Sequence, residues 1–294
     1  MKILYTSDIH AGSRHLASML TLAKKAAVDC IIVGGDIVPH RLPGTQTMGL
    51  IDAQAAYLNN VFIPALQAFK AGHHIPLYLD LANDDLACNR NILEQHNGTL
   101  LHLLHMEKHR LTDSMDILGY MNVPPTPFHR KDWEKPDSTD WPYAPDGYVA
   151  LSGVQSHGGA IKEAHIEIDS TDTIESDLQR LSAAIDRPFV FVSHTPPYNT
   201  PLDVISDGTH VGSMSIRNFI TTWSADGLIK VSLHGHIHES PKRSGFIQTE
   251  ISGVPCLNPG QGNGDRSIFQ YAILSINEDS HGVIQVSLTD QQTS

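Results

Sequence analysis

Three histidines fall within five residues at His234-Gly235-His236-Ile237-His238, directly after an apolar run at residues 228–233. Such a run reads as a buried strand, where imidazoles pack poorly but bind metals well. Alternate side chains of an extended segment point the same way about 6–7 Å apart. His236 and His238 therefore suit two neighbouring ions, roughly 3.5–4 Å apart in two-metal hydrolases, better than one ion. Four other apolar runs end in residues of the same kind: Asp8 and His10 after the first, Asp36 after Gly34-Gly35, Asn83 after residues 75–79, and His194 after residues 188–192. A single buried Asp or His is more often a satisfied hydrogen-bonding group than a ligand. Five in order, each at a strand end, are hard to produce by accident. Imidazoles mixed with carboxylates and an amide oxygen suit Mn²⁺, Fe²⁺ or Zn²⁺ better than Ca²⁺.

These residues need a fold that gathers strand ends, and the spacing of apolar residues supplies one. After the first strand, Ser13 is placed to cap a helix with Leu16, Met19, Leu20, Ala23 and Ala27 on one face, which makes a β-α-β unit with the strand before Asp36. Residues 45–70 carry Ile51, Ala55, Leu58, Phe62 and Phe69 at helical spacing, with Pro64 expected to kink or break the helix. Asp172 and Glu175 read as a capping box, and another helix begins near Ser213 with Ile216, Phe219, Ile220 and Trp223 inward. Beyond residue 244 the pattern alternates and turns, as antiparallel sheet does. In α/β folds the carboxyl ends of strands converge on one edge, where ligands bind. A Pro-rich stretch at about 120–148 reads as an ordered surface loop, either a lid or a plain excursion. His102, His105 and His109 fall at helix-like spacings and read as solvated. No repeat or break in composition divides the chain, so one domain over residues 1–294 is expected.

A net charge of −12 argues against a nonspecific nucleic-acid partner and fits a protein that collects cations. Three cysteines with no short spacing make neither a disulfide framework nor a zinc ribbon, so the expected setting is reducing and cytoplasmic. The N-terminus turns polar too soon for a signal-peptide core, and no run is long enough to span a bilayer.

The strand-end residues resemble the calcineurin-like metallophosphoesterases, whose pattern is Asp-x-His, Gly-Asp, Gly-Asn-His-(Asp/Glu), an isolated His, and Gly-His-x-His. Here these read Asp8-Ile9-His10, Gly35-Asp36, Ala82-Asn83-Asp84-Asp85, His194 and Gly235-His236-Ile237-His238. With Asn258-Pro259-Gly260, the chain is most similar to predicted phosphoesterases related to bacterial cyclic-nucleotide phosphodiesterase. The resemblance implies an α/β fold, a four-layer α/β/β/α sandwich of two mixed sheets, with the strand-rich tail filling the second sheet. It implies that Asp8, His10 and His238 hold one metal, that Asn83, His194 and His236 hold the other, and that Asp36 bridges both. The implied activity is phosphoester hydrolysis by a metal-bridging hydroxide. The substrate would be a small phosphoester, and a homo-oligomer is left open.

One block departs from that pattern. Where the family has a histidine that serves the leaving oxygen, this chain has Asp84, a carboxylate expected to be ionised beside two dications and therefore a poor acid. Asp84 is then expected to orient a water or ligand, with His210, His157 or solvent as the acid. A phosphodiester is favoured over a monoester because it asks less of a general acid. The alternative is a metal-binding regulatory or scaffold module that lost turnover with the histidine. Arg14, His40 and Arg41 follow ligand blocks and could reach a substrate from the rim or simply be solvated. Asp85 could hydrogen-bond a ligand histidine or cap the helix near Asn89. His234 matches no ligand position and is expected to be a packed histidine behind the site.

Overall fold

In the computed structural model of the chain, which describes all residues except 13, 41–46, 140–147, 262–267, 280–282 and 293–294, the strand Phe189–Ser193 is buried on both faces. Val190 and Val192 enter one apolar cluster, while Phe189 and Phe191 enter another. This two-residue alternation means that the strand's sheet is covered on both sides.

The strands come in groups along the chain. β1 (Lys2–Thr6), β2 (Cys30–Val33), β3 (Leu77–Leu79) and β4 (His102–Leu103) run parallel in one sheet. β5 (Lys108–Arg110) and β6 (Asp116–Tyr120) start the second sheet, and β7 (Ser152–His157) with β8 (Ala160–His165) forms a separate hairpin. β9 (Phe189–Ser193), β10 (Ile229–His234), β11 (Gln248–Ile251) and β12 (Val254–Leu257) complete the second sheet, in the order β11-β12-β10-β9-β6-β5. β13 (Tyr271–Glu278) and β14 (Ile284–Gln292) return to the first, in the order β14-β13-β1-β2-β3-β4.

Helices flank the two sheets. α1 (His15–Lys25) and α2 (Thr47–Tyr57) follow β1 and β2, and α3 (Ile63–Lys70) continues from α2. Met19, Ala23, Leu66 and Phe69 of α1 and α3 join the cluster containing Ile3, Ile31 and Leu77 of the first sheet. A short α4 (Arg90–Glu94) follows β3. α5 (Ile174–Ser182) and α6 (Met214–Ala225) bring Leu178, Ile216 and Phe219 against Phe189 and Phe191, and α7 (Ser240–Ser244) follows β10. The fold is the expected mixed α/β architecture, two large mixed sheets flanked by helices.

Several local expectations are corrected. Pro64 does not end the helix: a π turn at Leu58–Phe62 lies just before it and runs directly into α3, which carries Pro64 in its first turn. The capping box at α5 is Thr173 with Ser176, one residue beyond Asp172, whose carboxylate instead holds Lys135 Nζ at 2.7 Å. Ser213 does cap α6, accepting from Ile216 N at 2.9 Å. His102, His105 and His109 are half-buried in and between short strands, with His105 Nδ1 accepting from Met121 N at 3.0 Å. The tail divides, since β11 and β12 join the second sheet while β13 and β14 extend the first. Much of the Pro-rich stretch before residue 140 is interior, and Trp133 Nε1 donates to the Asp85 carbonyl at 3.0 Å. Residues 140–147 of that stretch, the Ser13 cap and Arg41 lie outside the described residues. No helix among the described residues is long and apolar enough to cross a membrane.

Candidate metal centre

β1, β2 and β3 are neighbours in the first sheet, and β9 and β10 are neighbours in the second. The loops that follow them meet and are stitched by backbone bonds. Asp8 N donates to Gly35 O, His10 N to Asp36 O, and Gly235 N to His194 O, at 2.9–3.0 Å. The two sheets are tied together by His236 N, which donates to both Asp8 carboxylate oxygens at 3.0 and 3.1 Å.

The backbone here is held in an uncommon conformation. Asp8, His10, Asp36 and His236 have φ of 58°, 41°, 53° and 65°, a region that ordinary side chains occupy at a cost and that tends to mark functional sites. Gly35 is required twice over: its φ is +107°, and a Cβ there would lie 2.6 Å from Ala82 Cβ and 2.7 Å from His194 Nδ1. Gly35→Ala is expected to lower the unfolding free energy by about 2–4 kcal/mol, read from urea denaturation at constant m-value. A loss below about 0.5 kcal/mol would show that the loop relaxes freely.

The side chains converge. Asp8 Oδ1 lies 3.2 Å from His238 Nε2, and His238 Nε2 lies 3.1 Å from His10 Nε2, which in turn is 3.9 Å from Asp36 Oδ2. The ligand atoms of Asp8, His10, Asp36 and His238 all lie within 4.8 Å of one another. Beside them, His194 Nε2 lies 2.8 Å from Asn83 Oδ1 and 3.3 Å from Asp36 Oδ2, and the His194 and His236 rings are 5.2 Å apart. Asp36 is therefore next to both groups. All seven strand-end residues come to one place.

His194 tests whether this donor set fits a cation. Its Nδ1 faces the Gly34 carbonyl at 2.7 Å and its Nε2 faces oxygens of Asn83, Asp36 and, at 3.9 Å, Asp8. A neutral imidazole has one N–H and cannot satisfy both sides. Either the ring carries two protons or Nε2 meets a cation, with Nδ1–H held by the carbonyl as in metal-ligating histidines. Without a cation the ring keeps its proton: burial opposes the charge, but Asp36 and then Asp8 outweigh burial and raise the His194 pKa to about 9. Burial raises Asp36, and burial together with His194 pushes His236 down to about 3. Polar atoms facing one another in this way fit a cation-holding site.

Asp84 stands at the edge of the cluster, its Oδ2 4.0 Å from His10 Nε2 and its backbone N donating to Asp36 Oδ1 at 2.9 Å. Its carboxylate is paired with Arg130, which sequence reasoning passed over. Burial would raise the Asp84 carboxyl, but Arg130, then His10 and His40, outweigh it and hold the pKa at about 2. Asp84 is thus an ion pair and no proton donor. Arg130 Nη1 also donates to His40 O at 3.2 Å, and the His40 ring lies 4.2 Å from that of His10. The visible signal for Arg130 was slight: one Arg-Lys pair in a Pro-rich stretch of an acidic chain.

Other residues hold the loops. Asp85 accepts from Ile37 N, Val38 N and Ala82 N at 3.0–3.1 Å, so it locks backbone and neither contacts a ligand histidine nor caps a helix. Gln54 of α2, fully buried and unnoticed in the sequence, donates to Pro39 O and Asp84 O at 3.0 and 3.1 Å. Asn258 Nδ2 lies 3.2 Å from the carbonyls of Gly235 and Ile237, bracing the histidine turn. His234 is buried as expected, 3.1 Å from Thr195 O. His210 is engaged elsewhere, with Nδ1 2.7 Å from buried Asp203 Oδ1, and His157 is exposed at the end of β7. Arg14 is exposed.

Comparison with known proteins accords with this arrangement. A dimetal phosphatase from Danio rerio shares the fold at 11% identity, with 93% of this chain and 92% of that one covered and a TM-score of 0.56. TT1561 of Thermus thermophilus does so at 16% identity, with 98% of each chain covered and a TM-score of 0.55. An uncharacterized protein of Methanocaldococcus jannaschii is 47% identical over 51 residues, which is 17% of this chain and 22% of that protein, so the match spans about a fifth of this curated relative. Residues 1–240, a span that includes the five strand-end blocks, match the calcineurin-like phosphoesterases, and the chain belongs to that family.

Proposed function

We propose that the protein is a dinuclear metal-dependent phosphoesterase that prefers diesters. In this reading Asp8, His10 and His238 hold one cation, Asn83, His194 and His236 hold the other, and Asp36 touches both. The observation that carries it is His194, whose Nε2 is aimed at the oxygens of Asn83 and Asp36 while its Nδ1 is committed to Gly34. Two divalent cations, with Mn²⁺, Fe²⁺ or Zn²⁺ suited to these donors, would supply an ionised water near neutral pH and the charge to hold a phosphate.

The chain's own residues explain the diester preference. Asp84 is ionised and holds Arg130, so the place of the family's histidine offers no proton to a departing alkoxide. Because Arg130 is neutralised by Asp84, its charge is not fully available to a dianionic monoester. A monoanionic diester with a good leaving group needs less of both. Gln54 and Asp85 hold the loops that carry Asp36 and Asp84 through bonds to their backbone.

The test is to strip the protein with chelator, restore Mn²⁺, Fe²⁺ or Zn²⁺, and assay bis-(4-nitrophenyl) phosphate beside 4-nitrophenyl phosphate. Two metals per chain and faster diester turnover are expected. Two metals with no hydrolysis, and none gained by Asp84→His, would favour the scaffold alternative. Loading should also release the His194 proton. Because that group stays protonated up to about pH 9 in the metal-free protein, metal affinity should rise as pH climbs from 7 towards 9, by about tenfold per unit. Calorimetry in two buffers of different ionisation enthalpy reads this, and an affinity independent of pH over that range would contradict the assignment of His194.

A further inference from the structure

Beside the metal centre lies a cavity of about 210 Å³ between the segment that follows β6 and the loop that joins β9 to α6. Pro124, Pro125, Pro127 and Phe128 form one wall, and Ile205 and Val211 form the other. The Tyr148 hydroxyl, donating to Asp207, ties a residue of the lining to the second loop. The cavity adjoins the metal centre through His236, which lines it and whose ring lies 5.2 Å from that of His194. Phe128 is 50% exposed at this site, although a ring of that size normally finds cover.

We propose that this cavity holds the organic group of the phosphoester substrate, and that the group is a single uncharged aromatic ring on a substrate with only one phosphate. The inference rests on the phosphoesterase reading and specifies its substrate class. Size favours one ring: a cavity of about 150 Å³ accommodates benzene, so this one takes a ring with a short substituent, and a base with its ribose would overfill it. Flat proline faces and the Phe128 ring are suited to stack on such a group. The lining offers little to hold a second phosphate or a carboxylate in the same place. Among the described residues no lysine or arginine lines the cavity, whereas Glu239 does. An anionic substituent there would find no cation among the described lining residues.

The experiment titrates the Mn²⁺-loaded protein calorimetrically with methylphosphonate, benzylphosphonate and 4-(phosphonomethyl)benzoate, which share the phosphonate and differ only in the group sent to the cavity. Benzylphosphonate is expected to bind about tenfold tighter than methylphosphonate, from burial of one ring. The carboxylate of the third ligand should cancel that gain. Val211→Trp, which fills the cavity, and Phe128→Ala, which removes one wall, should each bring the benzyl-to-methyl affinity ratio towards one. Equal affinities for the methyl and benzyl ligands in the unaltered protein would overturn the cavity assignment and leave the phosphoesterase reading standing. Failure of every phosphonate to bind the two-metal protein would overturn the phosphoesterase reading, and this inference with it. A benzyl preference retained in both variants would place the ring elsewhere and would likewise overturn it.

Discussion

Asp36→Asn is expected to give a folded protein that is more heat-stable than the parent in the presence of chelator, yet cannot hold its full complement of metal. The two effects share a cause. Without cations, burial, with the nearby Asp84 and Asp8 carboxylates, outweighs the attraction of His194 and raises Asp36, so its charge is poorly tolerated there. Asparagine removes that charge while keeping an oxygen for the Asp84 N–H, which Asp36 Oδ1 now accepts at 2.9 Å. With cations, on the proposed assignment, the same change removes a ligand that lies next to both groups. Loss of a residue that merely orients a metal ligand typically costs about 10–100-fold, so loss of a bridging ligand should reduce turnover at least about 100-fold. Metal analysis, thermal melts with and without chelator, and diester turnover measure all three consequences. Full metal content together with a less stable chelated protein would remove Asp36 from the bridge.

The second large effect concerns Arg130. Arg130→Met leaves the Asp84 carboxylate without its guanidinium, at the edge of the site where an anionic substrate must come. Truncating one partner of a buried charge pair costs about 2–5 kcal/mol. With side-chain exposures of 19% for Arg130 and 16% for Asp84, the lower end applies: about 2 kcal/mol, or roughly thirtyfold in kcat/KM. Adding Asp84→Asn to Arg130→Met should recover most of that loss, because the uncompensated charge is then gone. Coupling of this kind is the mark of a pair acting as a unit. If instead the four proteins of the cycle show independent, additive losses, Arg130 and Asp84 act separately and the account of the altered third block fails.

The readable parts of the fold and the site were those written in consecutive residues. Each candidate ligand follows its own strand by at most a few positions, so the apolar run and the polar terminus were visible together, as at residues 30–36. The parallel sheet edge then did the gathering. Arg130 was not readable because its partner Asp84 lies in another loop, and nothing in either local pattern requires the pair. The tail shows the same limit at larger scale. Alternation in β13 announces a strand, but its pairing with β1 depends on which edge remains open when both sheets form. His102, His105 and His109 misled because spacings of three and four also occur across two short strands and the bend between them. At α5 both Asp172 and Thr173 are good caps; Thr173 takes the position, and Asp172 pairs with Lys135.

The position of β13 also bears on the order in which the molecule is made. β1, which leads into Asp8 and His10, lies between β2 and β13, pairing Lys2 with Ser275 and Tyr5 with Ala272. At about 5–20 residues per second of synthesis, the first strand waits tens of seconds for that neighbour. Throughout this interval an apolar strand, Lys2–Thr6, has one open edge, a surface that invites pairing with other chains. In a partly made chain that edge is exposed to unwanted pairing. Asp8 and His10 thus follow a strand whose pairing with β13 comes late in synthesis, after every other strand-end block has been made.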